Sequence, residues 1–89
     1  MITVNKLIIL NYINRLKKED IENYSLRENT ILNKEEIDII YDYIKNHFDK
    51  IINNPIKVLN EVKDKVSTSV YDKILELYDK YKDMIDKLK

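Results

Sequence analysis

The fold is decided by the stretch Asn33-Lys34-Glu35-Glu36-Ile37-Asp38-Ile39-Ile40-Tyr41-Asp42-Tyr43-Ile44-Lys45-Asn46-His47-Phe48. Its start is well marked, because Asn33 can cap a helix and Glu36 has the spacing of a capping box. The apolar residues then recur at steps of three and four, which predicts one helix over residues 34–48. The helix is apolar around most of its circumference, and such a helix is normally buried among neighbours. We therefore expect it to be the central helix.

A second apolar stripe lies off the main face of this helix. It consists of Ile39, Tyr43 and His47, which are spaced four residues apart. Two interpretations are open. Neighbouring helices can cover the stripe, so that it belongs to the core, or it is exposed and contacts another protein. We take these three residues as the candidate partner surface.

Two shorter helices are expected before the central one. The first covers residues 3–14 with Thr3 as a possible cap, although the β-branched pair Ile8-Ile9 would also suit a buried strand. The second covers residues 17–28. Asn29 is the expected stop, because Asn tolerates the left-handed backbone conformation when Gly is not present.

Two more helices are expected after the central one. Asn54 as cap and Pro55 at the first position begin a helix that runs to about Val66. Ser69 is one possible cap of a final helix over residues 70–88. The sequence therefore predicts a single all-α domain, residues 1–89, with about five helices packed orthogonally around the helix 34–48.

The composition excludes several classes of site. The chain has no Gly and no Cys, which removes glycine-rich phosphate loops, disulfides and thiolate metal sites. Sixteen basic residues balance sixteen acidic ones, so the net charge gives no general attraction to nucleic acid or anionic lipid. Abundant Ile, Lys, Asn and Tyr indicate A·T-rich coding. The absence of Cys and of a targeting or membrane segment favours a cytoplasmic protein.

Catalysis finds little support in the sequence. His47 is the only side chain that normally titrates near neutral pH, and the acidic residues of the central and last helices are interleaved with Lys. We read those carboxylates as solvated faces. We expect no enzyme activity, no catalytic residue, no metal and no cofactor.

Nucleic-acid binding is the alternative function. The helix that starts near Ser67-Thr68-Ser69, with Lys73 one turn later, could be the second helix of a helix-turn-helix arrangement and contact a phosphate backbone. Nearby acidic residues and a total of only two arginines count against it. The candidate contacts are Ser67, Thr68, Ser69 and Lys73.

Several segments resemble a family of small helical proteins from low-G+C Gram-positive bacteria, the YqfT-like family. Residues 13–21 occupy the place of its Ile-Asn-Lys-Ile-Thr-Pro-Glu-Glu-Leu-like segment. Tyr24 and residues 31–37 match its tyrosine-containing helix and the following helix entry, and residues 66–70 echo its Thr-Ser-x-x-Thr start. The resemblance implies an all-helical domain and no catalytic residues, because the family has no established activity.

These observations favour a small cytoplasmic protein that acts as a non-catalytic protein–protein interaction or accessory module. The expected partner is another protein or a second copy of the chain, with neither a membrane nor a small-molecule substrate. Surplus apolar surface on the central and last helices supports this prediction.

Overall fold

The computed structural model describes residues 6–88, with side chains from residue 7, and every regular element in that range is a helix. The elements are α1 (Lys6–Asn14), α2 (Lys18–Arg27), α3 (Lys34–Asn46), α4 (Phe48–Asn53), α5 (Pro55–Lys63) and α6 (Thr68–Lys87). The predicted all-α bundle is confirmed, and the strand alternative for the first segment is wrong. Thr3, the possible cap of the first helix, lies outside the described residues.

The described residues form six helices because residues 48–53 form a short helix, α4, that the sequence pattern did not predict; the central helix itself ends two residues before its predicted end. His47 is the C-cap residue of α3 and also the N-cap residue of α4, and its backbone angles are φ −128° and ψ 28°. These angles lie outside the α-helical region. The helical backbone therefore stops at Asn46, and residues 48–53 form a separate short helix.

The predicted caps around α2 and α3 are confirmed. Asn33 Oδ1 accepts a hydrogen bond from the Glu36 N–H at 2.8 Å, and Glu36 Oε1 accepts one from the Asn33 N–H at 3.0 Å. Asn29 has φ 58° and stands in the left-handed region immediately after α2. Both features depend on residues within a few positions of each other, which is why the sequence predicts them.

The predicted boundaries of the last two helices are less accurate. Pro55 does occupy the start of α5, but the side chain of Asn54 makes no capping hydrogen bond. Helix α5 ends three residues before Val66, its predicted end. The cap of α6 is Ser67 and not Ser69, since Ser67 Oγ accepts from the N–H three residues later at 3.4 Å.

The core lies mainly among α2, α4, α5 and α6. Its buried apolar side chains are Ile13, Ile21, Ile52, Val58, Leu59, Val62, Val70 and Leu88. Helix α3 is central in position, in contact with α1, α2 and α4, yet its only buried side chain is Glu36. The apolar side chains of α3 are half-buried, which leaves an open apolar surface along that helix.

Candidate functional site

An apolar groove of about 290 Å³ lies between α3, α5 and α6. One wall belongs to α3 and consists of Ile40, Tyr43 and Ile44. The other wall belongs to α6 and consists of Ile74, Leu77, Tyr78, Tyr81 and Ile85. The buried side chains of α5 form the floor, and every lining residue is aliphatic, proline or tyrosine.

Glu36 holds the start of α6 against α3. Its side chain is only 4% exposed. While Oε1 completes the capping box at Asn33, Oε2 accepts a hydrogen bond from the Ser67 N–H at 2.8 Å. Burial opposes ionisation of this carboxyl, but the hydrogen bonds from Ser67 and Asn33 outweigh it and hold the pKa of Glu36 below its usual value. One carboxylate thus accepts hydrogen bonds from the N-termini of two helices, α3 and α6.

Helix α6 also contacts α2. Lys73 Nζ lies 3.9 Å from Glu28 Oε1, near the C-terminus of α2. Farther along, burial raises the pKa of the Tyr24 hydroxyl, and the neighbouring Tyr81 raises it further. Since Tyr81 also lines the groove, the contact with α2 helps to fix one wall.

The rim of the groove carries a polar cluster around Tyr43. The Tyr43 hydroxyl donates to Glu61 Oε2 at 3.1 Å and accepts from Lys65 Nζ at 3.2 Å. Lys50 Nζ contacts the other oxygen of Glu61 at 2.9 Å. The hydrogen bond from Lys50 is the main reason that the pKa of Glu61 is lowered; desolvation opposes it, and Tyr43 adds to it. The Tyr43 ring therefore has a fixed orientation at the edge of the groove.

The three residues of the predicted partner surface, Ile39, Tyr43 and His47, have different surroundings in the structure. Tyr43 lines the groove, whereas Ile39 and His47 do not. Ile39 is half-buried, and His47 is exposed, with its ring centroid 5.6 Å from that of Tyr43. His47 Nε2 lies 3.5 Å from Asp42 Oδ2. A partner-binding role for Ile39 and His47 stays a prediction. Of the three predicted residues, only Tyr43 also lines the groove.

The predicted nucleic-acid contacts lie together at the start of α6. Their polar groups are already engaged within the chain: Ser67 with Glu36 and with Ser69 Oγ, and Lys73 with two glutamates at 3.9 Å and 3.5 Å. Thr68 and Ser69 are exposed. A phosphate would have to compete with those carboxylates for Lys73. Nucleic-acid binding stays a prediction, which salt-sensitive retention on immobilised DNA or RNA would test.

Among residues 6–88, no group of three or more His, Asp or Glu side chains is placed to hold a metal ion. Several of the carboxylates instead face lysines, such as Asp38 with Lys18 at 2.9 Å and Asp79 with Lys82 at 3.0 Å. None of the helices described there is both long and apolar enough to cross a membrane.

Sequence reasoning missed most of the groove. It expected surplus apolar surface on the central and last helices, and the two walls of the groove do belong to α3 and α6. Helical periodicity identifies which residues share a face, but it does not give the distance to the facing helix. The surplus of apolar residues on these two helices was the signal that the sequence contained.

Comparisons with known proteins give no information about the function, which is therefore argued from the groove. No protein-family model, curated protein or solved structure matches this chain. The resemblance to the YqfT-like family therefore stays a prediction.

Proposed function

We propose that this chain is a non-catalytic protein–protein interaction module, which binds an amphipathic helix of a protein partner in the groove between α3, α5 and α6. The observation that carries the proposal is an open groove lined by aliphatic and tyrosine side chains. A groove of this kind accepts a helix through apolar side chains at positions i, i+3, i+4 and i+7. The proposal includes a cytoplasmic location, in keeping with the cysteine-free sequence.

A helix suits the groove better than a small molecule does. Sites for small molecules usually combine an apolar pocket with a few converging polar groups that fix the ligand's orientation. Here the polar group best defined at the rim, the Tyr43 hydroxyl, is already bonded to Glu61 and Lys65. The groove wall from Ile74 to Ile85 is about 16 Å long, which corresponds to three helical turns.

Selection from a displayed library of helical peptides tests the proposal. The library carries apolar residues at i, i+3, i+4 and i+7 and varied polar residues elsewhere. We expect enriched peptides to bind the wild-type chain and to lose binding to Leu77→Glu, because that change places a charge inside the apolar wall. Leu75→Glu is the matched control, since Leu75 lies on the same helix but outside the groove.

Two results would contradict the proposal. One is the absence of any enriched peptide. The other is equal binding of the enriched peptides to the wild type, Leu77→Glu and Leu75→Glu. Circular dichroism establishes that both variants remain folded. If Leu77→Glu unfolds, Leu77→Trp replaces it, because a larger side chain occupies the groove without burying a charge.

A further inference from the structure

We propose that the groove is occupied by helix α1 of a second copy of this chain. This inference rests on the proposed function, because it names the helix that the groove binds. The observation behind it is an exposed apolar stripe on α1, formed by Ile8 and Tyr12 and here called the α1 stripe. Ile8 is 66% exposed and Tyr12 is 71% exposed. At a separation of four residues, the two side chains lie on one face of the helix.

The end of α1 and the groove of one chain are attached to different sides of α3. Lys45 fixes the end of α1, because its Nζ donates to the carbonyls of Ile13, Asn14 and Leu16 at 3.1, 2.6 and 3.3 Å. Around the axis of α3, the Lys45 side chain is separated by about 100° to 160° from each of the three α3 residues that line the groove. The α1 stripe is not among the residues that line its own groove, and a second copy can bring the two surfaces together.

The length of helix α1 fits within the length of the groove. Helix α1 has nine residues and is about 13 Å long, while the α6 wall of the groove is about 16 Å long. The groove offers apolar side chains along that length and the α1 stripe presents the same chemistry. Both surfaces are present on every copy, so two chains can exchange α1 helices in a closed, symmetric pair.

Charge also favours this partner. Residues 1–18 contain four basic residues and no acidic one: Lys6, Arg15, Lys17 and Lys18. Because the whole chain has a formal net charge of zero, residues 19–89 carry a net charge of −4. The basic segment of one copy is therefore attracted to the acidic remainder of another, which raises the association rate and makes it sensitive to salt.

Analytical ultracentrifugation over a range of protein concentrations tests the pair. We expect the wild type to form dimers and Ile8→Asp to weaken the association at least roughly tenfold, because an aliphatic anchor is lost. Ile8 is exposed, so this change leaves the fold intact. Ile31→Asp is the matched control: Ile31 is 83% exposed and lies outside both surfaces, and its substitution should leave the dimer unchanged.

Mixing two variants gives the sharpest result. Ile8→Asp damages the α1 stripe and keeps the groove, whereas Leu77→Glu damages the groove and keeps the stripe. Each variant alone should be monomeric, and an equimolar mixture should form a mixed pair through the one intact contact. A mixture that associates no better than its components would overturn the inference. If Leu77→Glu does not fold, Leu77→Trp takes its place.

A synthetic peptide of residues 1–18 separates this inference from the proposed function. We expect it to bind Ile8→Asp, whose groove is intact, and to bind Leu77→Glu at least roughly tenfold more weakly. If library peptides bind the groove but this peptide does not and the chain stays monomeric, only the inference fails. Tighter binding of the peptide to phosphatidylglycerol vesicles than to the chain would also overturn it, because a lipid surface would then be the occupant of the α1 stripe.

Discussion

Replacing Glu36 by Gln removes one negative charge from a buried position and leaves the size of the side chain almost unchanged. In the wild type, the two carboxylate oxygens accept from the N–H groups of Asn33 and Ser67 at 3.0 Å and 2.8 Å. A Gln side chain has one oxygen and one NH₂ group, so only one of the two N–H groups can keep its acceptor. The other loses its acceptor and faces the NH₂ group of the new side chain instead.

The expected cost follows from these contacts. A hydrogen bond to a charged group contributes about 1.5–3 kcal/mol, and a negative charge at a helix N-terminus contributes about 0.3–1 kcal/mol. The two contributions overlap, so we expect Glu36→Gln to lower the free energy of unfolding by less than their sum, about 1.5–3.5 kcal/mol. For a domain of this size, that loss lowers the melting temperature by roughly 6–28 °C.

The pH dependence of this loss follows from the lowered pKa of Glu36. The ionised carboxylate stabilises the folded state fully above the unfolded pKa of about 4.3. That stabilisation is lost as the pH falls through the lower pKa of the folded state. The difference in stability between wild type and Glu36→Gln should therefore be constant from pH 7 to about pH 5 and shrink below about pH 4.

Urea unfolding followed by circular dichroism measures this difference. Glu35→Gln is the matched control, because Glu35 is an exposed carboxylate in the same first turn of α3 and makes neither of the two hydrogen bonds. We expect the control to cost no more than about 0.5 kcal/mol. Equal losses for Glu36→Gln and Glu35→Gln would refute the argument that Glu36 joins α3 to α6.

Three further predictions each concern the hydrogen bonds of one side chain. Lys45→Met removes the donor to three carbonyls at the end of α1, so amide exchange in residues 8–14 should quicken roughly five- to thirtyfold while exchange in α5 changes little. Tyr43→Phe removes a donor to Glu61, so the pKa of Glu61 measured by carboxyl NMR should rise toward its usual value; an unchanged pKa would contradict that contact. Ser67→Ala removes the cap of α6 and should lower the free energy of unfolding by about 0.5–2 kcal/mol, whereas Thr68→Ala, one position later, should have a smaller effect.

Local features of the fold could be predicted from the sequence because they depend on neighbouring residues. The capping box at Asn33, the left-handed Asn29 and the proline start of α5 each involve side chains and backbone groups only a few positions apart. The exact break at His47 and the short helix α4 that follows it could not be predicted in this way. Neither Gly nor Pro marks it, and the apolar pattern continues through Phe48.

Contacts between distant segments account for the rest. The sequence identified Glu36 as part of a capping box, but its second hydrogen bond reaches Ser67, 31 residues away. The groove likewise depends on helices that are distant in the sequence. Tyr43 was predicted as part of the candidate partner surface, and it lies at the rim of the groove. The sequence did not show that this part of α3 faces α6, because periodicity does not specify the distance between helices.

Isoleucine-methyl NMR tests the central claim, that the groove binds an apolar helix, most directly. Five isoleucines line the groove, and two of the exposed isoleucines, which lie outside both the groove and the α1 stripe, are the controls. The groove isoleucines are Ile40, Ile44, Ile51, Ile74 and Ile85, and the controls are Ile31 and Ile56. When an enriched helical peptide is added, we expect the five groove methyl signals to shift together while the two control signals stay in place. Shifts confined to Ile31 and Ile56, with the groove signals unmoved by a peptide that binds, would contradict the claim.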